Sequence, residues 1–147
     1  MRKNLTEDLN LGVISMSQGY HYWSQLHGLT DYLTNILYEL LTHDQMTLTD
    51  ITKRSNLPKQ TLSKGIHQLL DQGYLVQVDD PTDSRIKWCK LTESGKKYAK
   101  RQVGPLFALE EELIAELGAD KVILMNDLIQ QWNEKFWEKL KAERMKA

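Results

Sequence analysis

The segment LVQVDDPTDSRIKWCKLT, running from Leu75 to Thr92, decides how the rest of the chain is read. Leu75, Val76 and Val78 make a short β-prone run, Asp79, Asp80 and Pro81 break it, and Arg85 to Leu91 resumes as a second extended segment. The expectation is a hairpin whose charged tip carries Arg85 and Lys87. It follows directly on an amphipathic helix ended by Gly73. A short helix, a tight turn, a second helix with a polar outer face and a basic hairpin are the parts that grip a DNA duplex through one major groove and its neighbouring minor groove.

Upstream of the hairpin, Thr47 followed three residues later by Asp50 resembles a capping box and opens a short helix through about Ser55. Asn56, Leu57 and Pro58 read as the turn, with Pro58 in the first turn of the next helix, where no intrahelical bond is lost. In that helix Leu62, Ile66, Leu69 and Leu70 make a buried face. The opposite face presents Lys59, Gln60, Ser63, Lys64, His67 and Gln68, long donors and small hydroxyls suited to phosphates and base edges. Gly65 within it is read as a place of close approach.

The flanks are helical. From Leu9 the bulky residues Val13, Met16, Tyr20, Trp23 and His27 alternate steps of four and three, an apolar seam interrupted by Gly28. A second helix starts near Thr30 with Leu33, Ile36, Leu37, Leu40 and Leu41 on its core stripe. Thr92 is a plausible N-cap for a long fifth helix through Tyr98, Leu106, Leu109, Leu113 and Leu117, bent at Pro105 and ended by Gly118. A last helix from about Asp120 sets Met125, Ile129, Trp132, Phe136 and Leu140 in one stripe. Pairing two copies would bury these terminal stripes, so a homodimer is expected.

The chain has 147 residues, 41% hydrophobic and 27% charged, which fits one domain. Its net charge of -1 conceals an uneven distribution: Met46 to Val103 carries eleven Lys/Arg against six Asp/Glu, so the middle is basic and the two ends together are acidic. A solvated face is the commoner meaning of such a run, but a DNA-binding lobe on a separate support would show the same asymmetry. The single cysteine, Cys89, excludes an intramolecular disulfide. With no signal-like N-terminus and no run of about 18 apolar residues, the expectation is a cytoplasmic protein with no membrane association.

At these residues the sequence resembles the MarR family of bacterial transcriptional regulators, over about Leu11 to Leu140. Asp80-Pro81-Thr82-Asp83-Ser84-Arg85 is similar to the family's D-x-R wing, Leu91-Thr92-Glu93-Ser94-Gly95 to its L-T-x-x-G start of the fifth helix, and Leu57 to Leu75 to its recognition helix and closing glycine. The resemblance implies a mainly α fold with a small β-hairpin wing: a single domain over 1–147, with a winged helix-turn-helix lobe at about 30–92 and a helical dimerisation region at about 9–28 and 93–143. It implies double-stranded DNA as partner, a homodimer on an inverted-repeat operator with recognition helices about 34 Å apart, and repression. DNA contact falls to Lys59, Gln60, Thr61, Ser63, Lys64, Gln68, Arg85 and Lys87, and Asp83 orients the wing arginine. A narrow minor groove favours a fixed guanidinium. Pro58 departs from the family's usual serine or threonine, which removes a hydroxyl at that corner.

Many such proteins release DNA when a small aromatic effector fills a crevice beside the lobe, and Tyr20, Trp23, Tyr32 and Tyr38 are the candidate pocket residues, with core or dimer seam as the plainer meaning. Cys89 alternates with Leu91 and is expected to face the core, unlike the first-helix thiol of peroxide-sensing relatives. His21, His27, His43 and His67 have no partner at metal-ligand spacing, so no metal or cofactor is expected. No P-loop, nucleophile elbow, H-E-x-x-H or CxxC supports an enzyme. The competing class is a winged helix that binds protein instead of DNA.

Overall fold

A computed structural model describes residues 4–147. Two threonines set helix starts as their positions require. Thr30 Oγ1 accepts from Leu33 N and Thr47 Oγ1 accepts from Asp50 N, at 3.3 and 3.0 Å. Each such cap is worth about 1 kcal/mol. They open α2 (Asp31–Thr42) and α3 (Leu48–Lys53), after α1 (Leu5–Leu26), which begins four residues before its apolar seam because Asn4 caps it. The turn after Arg54 leads to α4 (Lys59–Asp71), where Pro58 stands as the N-cap residue and supplies no side-chain bond. Gly28 and Gly73 take positive φ angles of 66° and 75° where α1 and α4 end, conformations with a steric cost for any side chain.

Three antiparallel strands follow the order β1 (Met46–Thr47), β3 (Lys87–Leu91), β2 (Leu75–Asp79). The hairpin of β2 and β3 pairs Leu75 with Leu91 and Val78 with Trp88. Sequence periodicity misses β1, since two residues cannot show a period, yet Met46 and Thr47 pair with Cys89 and Trp88 and tie the start of the helix-turn-helix to the wing. Sequence also places Asp79 in the break, whereas it is the last residue of β2, and β3 begins at Lys87 instead of Arg85.

The core around these elements contains Ile36 and Leu37 from α2, Ile51 from α3, Leu62, Ile66 and Leu69 from α4, and Cys89 and Leu91 from β3, all nearly or fully buried. Removing any one of the large aliphatic chains to Ala would cost about 2–5 kcal/mol. Gly65 lets α4 lie close to α2, because a Cβ there would stand 2.6 Å from Ile36 Cδ1 and 2.8 Å from Tyr32 Cδ2. The close-approach reading of this glycine is correct.

Thr92 joins the hairpin to α5 (Glu93–Leu117): its Oγ1 accepts from Gly95 N at 3.0 Å and donates to Gly73 O at 2.8 Å. α5 continues through Pro105. The chain divides into two compact units, the first through Leu106 and the second from Phe107 onward. The second holds the end of α5 and all of α6 (Ala119–Lys146), which buries none of its residues and exposes Ile129, Trp132, Phe136 and Trp137. In the first unit, Leu9, Val13, Met16 and Tyr20 on α1 are likewise exposed, while Trp23 is buried and stacks on His27 with ring centroids 4.1 Å apart.

Candidate nucleic-acid interface

On α4 the 100° step per residue places Lys59, Gln60, Ser63, Lys64 and His67 on one arc opposite Leu62, Ile66 and Leu69. Lys59, Gln60, Lys64 and His67 are exposed and Ser63 is half-buried. Thr61 and Gln68 belong to the margin of that arc and are half-buried. Two of the candidate contacts are held from behind by one ring. Lys64 Nζ stands 6.0 Å from the centroid of Tyr32, and the Tyr32 hydroxyl donates to Gln68 Oε1 at 3.4 Å. Cation–π attraction of this kind is weak at an exposed site, about 0.5–1 kcal/mol, but it limits where the ammonium can go.

The short helix before it is fixed to α2 by Arg54, whose Nε donates to Glu39 Oε2 at 2.7 Å. That carboxylate raises the guanidinium's pKa, through the hydrogen bond first and its charge second. Glu39 is mostly buried, so the bond orients the turn more strictly than a surface pair would.

At the fingertip Asp83 grips Arg85 with both oxygens, Nε to Oδ1 and Nη2 to Oδ2, each at 3.0 Å. The Asp83 carboxyl is lowered from its ordinary value by this bond and by the Arg85 backbone N–H. Arg85 remains 88% exposed, with its other N–H groups turned to solvent. Sequence expects Lys87 at the same tip, and here the structure differs. Lys87 is the first residue of β3, directly opposite Asp79, and its ammonium pairs with that carboxylate. A strand residue in register cannot also sit on the turn.

Sequence reasoning also passes over Asp80. Its Oδ2 accepts from Thr82 N, Thr82 Oγ1 and Asp83 N at 3.1, 2.9 and 3.1 Å, and its Oδ1 accepts from Trp88 Nε1 at 2.9 Å. The indole bond, followed by those from Thr82, holds the carboxyl down at about 2. The local half of this was legible, since Asp-Pro-Thr-Asp is an Asx-turn pattern. The partner across the hairpin was not, because nothing in the string of letters marks which strand residue faces the turn.

The candidate effector residues are divided between α1 and α2. Tyr32 and Tyr38, six residues apart on α2, point about 120° away from each other. Tyr32 is committed to α4, Trp23 is buried on His27, and Tyr20 is exposed. Cys89 is fully buried, as its alternation with Leu91 predicts, and burial raises its thiol pKa. Among the described residues no three His, Cys, Asp or Glu side chains come together as a metal site. His21 is engaged with Asp31 at 2.7 Å. No described helix is long and apolar enough to cross a membrane.

A helix-turn-helix of α3 and α4 with a β-hairpin beside it is a winged helix-turn-helix, and its polar α4 face and arginine-tipped hairpin are the features of the nucleic-acid-binding class. Residues 27–86 match the model described as MarR family, and the chain has the winged-helix fold of solved MarR family regulators. The HTH-type transcriptional regulator TcaR of Staphylococcus aureus is 24% identical over 99 residues, a match spanning 65% of each chain and so less than two thirds of that relative. A solved MarR family regulator from Neisseria meningitidis superposes with a TM-score of 0.84 at 23% identity, covering 96% of this chain and 99% of that one. Staphylococcus aureus MepR in its DNA-binding conformation superposes with a TM-score of 0.72 at 20% identity, covering 91% and 99%. These relatives are regulators, not enzymes.

Proposed function

We propose that the chain is a double-stranded-DNA-binding transcriptional regulator, with α4 in a major groove and Arg85 in the adjacent minor groove. The observation that carries this is a basic, polar α4 face followed directly by a β-hairpin that presents an exposed, carboxylate-steered guanidinium. Lys59 and Lys64 meet phosphates, Gln60 and Ser63 meet base edges, and Thr61 and Gln68 flank them. Lys87 contributes at most a screened charge, being paired with Asp79.

The working form is a homodimer in the cytoplasm, reading an inverted repeat and repressing by occlusion. The exposed apolar stripes of α1 and α6 support the pairing. A small aromatic effector that reaches Tyr20, Trp23, Tyr32 and Tyr38 would act through Tyr32, whose hydroxyl donates to Gln68 on α4. Titration with a panel of small phenols, following protein fluorescence and DNA release together, checks that part.

The decisive measurement is an electrophoretic mobility shift on random duplex at low salt, where non-specific binding by a basic lobe is strongest. Arg85→Ala should weaken binding to every sequence and, in a dimer, lower the slope of log K against log salt by about 2. Gln60→Ala should change sequence preference instead. No shift from a folded protein would transfer the lobe to the protein-binding class of winged helices.

A further inference from the structure

No residue between Asp79 and Lys87 is buried, so the fingertip has no apolar core of its own. Its shape rests on hydrogen bonds. Within the turn, Asp80 N donates to Ile86 O at 3.1 Å, continuing the ladder one step past Asp79 and Lys87, and Ile86 N donates to Asp83 O at 3.0 Å, closing the loop on itself. Side-chain attachment to the sheet comes from the Asp80 carboxylate. One oxygen gathers the Thr82 and Asp83 donors of the turn, and the other takes the indole N–H of Trp88.

Trp88 belongs to the central strand, paired on one side with Val78 and on the other with Thr47. Its position is therefore set by the sheet and, through Thr47, by the cap of the first helix of the helix-turn-helix. From there a chain of bonds leads outward: the Trp88 indole donates to Asp80, Asp80 also accepts from Asp83 N, and the Asp83 carboxylate accepts from the Arg85 guanidinium. The bidentate Asp83–Arg85 pair fixes the guanidinium relative to Asp83, and of the side-chain bonds on this path the Asp80 carboxylate is the one that joins Asp83 to the sheet.

We infer that Trp88 is the positioning residue for Arg85, its indole N–H anchoring the wing turn to the sheet through Asp80 so that the guanidinium is held ready for the minor groove. An indole is suited to this task because it donates and does not accept, so it binds the carboxylate in one orientation. The side-chain link at the tip end of the strands, Lys87 to Asp79, joins two exposed side chains, and a flexible ammonium sets no direction. A tip ordered in advance loses less conformational freedom on binding. The inference rests on the DNA-binding reading only at its final link.

Trp88→Phe removes the donor and keeps most of the ring. The expected result without DNA is faster amide exchange at Thr82, Asp83 and Ile86 and faster trypsin cleavage after Arg85, by about tenfold, the scale of one hydrogen bond to a charged group. On duplex DNA the same variant should bind about tenfold more weakly, while in an Arg85→Ala background it should make no further difference. Should Trp88→Phe not fold, Asp80→Asn serves. Its amide oxygen can keep the turn donors, its NH2 group faces the indole N–H, and the same pattern is expected. Unchanged exchange overturns the anchor. Accelerated exchange with undiminished DNA binding, or an equal loss in the Arg85→Ala background, overturns the positioning role. If the wild-type protein itself ignores DNA while exchange still accelerates, the DNA reading falls and the anchoring of the turn stands apart from it.

Discussion

Among the glycines, Gly95 has the least room for a side chain. A Cβ at this position would lie 1.8 Å from the carbonyl oxygen of Tyr74, a backbone atom that cannot rotate away. Gly95→Ala must push the start of α5 off the root of β2, and we expect a loss at the upper end of overpacking costs, about 3 kcal/mol, read by urea denaturation. Thr92 beside it was legible as a cap, and its Thr92→Val variant should lose about 1–2 kcal/mol with almost no change of volume. Asp80 supplies a pH dependence. Because its folded value is lowered, its contribution is fully present above the ordinary 3.8 and disappears as pH falls through about 2, so exchange at Thr82 and Asp83 should accelerate in that window. Cys89 should resist iodoacetamide at pH 8 in the folded protein and react once urea exposes it, since burial disfavours the thiolate.

At the level of elements, what the sequence revealed and what it hid divide along physical lines. Helices with an apolar stripe and a cap, such as α2 and α4, announce themselves because both signals are local. The core-facing alternation of Cys89 and Leu91 did the same for β3. β1 was silent because its evidence is a pairing partner some forty residues away, and Lys87 was misplaced because register is a property of two strands, not one. Of the site, the outward face of α4 could be read from spacing and the Asp83–Arg85 pair from the family resemblance, whereas Tyr32 behind Gln68 and Trp88 behind Asp80 are contacts between separate elements. The uncapped start of α4 makes a quantitative test. Pro58→Ser adds a cap worth about 1 kcal/mol but frees the unfolded chain by about 0.4–1 kcal/mol, so stability should stay nearly level in a denaturation curve.

For the whole molecule, the apolar side chains left in water on α1 and α6 are the main unsettled surface of the chain. Burial of Trp132 and Phe136 against a second copy would be worth several kcal/mol, and replacing both with Glu should shift sedimentation toward the single chain. The basic middle and acidic ends give the protein a strong internal contrast despite a net charge of only -1. Its attraction to a polyanion should therefore be directional, and added salt should weaken it more than the overall charge suggests. The two-residue strand β1 has a wider reach than its size implies. It joins the cap of α3 to the central strand of the wing, so that, under the proposed function, α4 and Arg85 would act as calliper jaws braced through β1. An A-form RNA duplex, with a deep narrow major groove and a broad shallow minor one, offers no purchase to jaws of that gauge. Competition between DNA and RNA duplexes of one sequence would measure how firmly they are set.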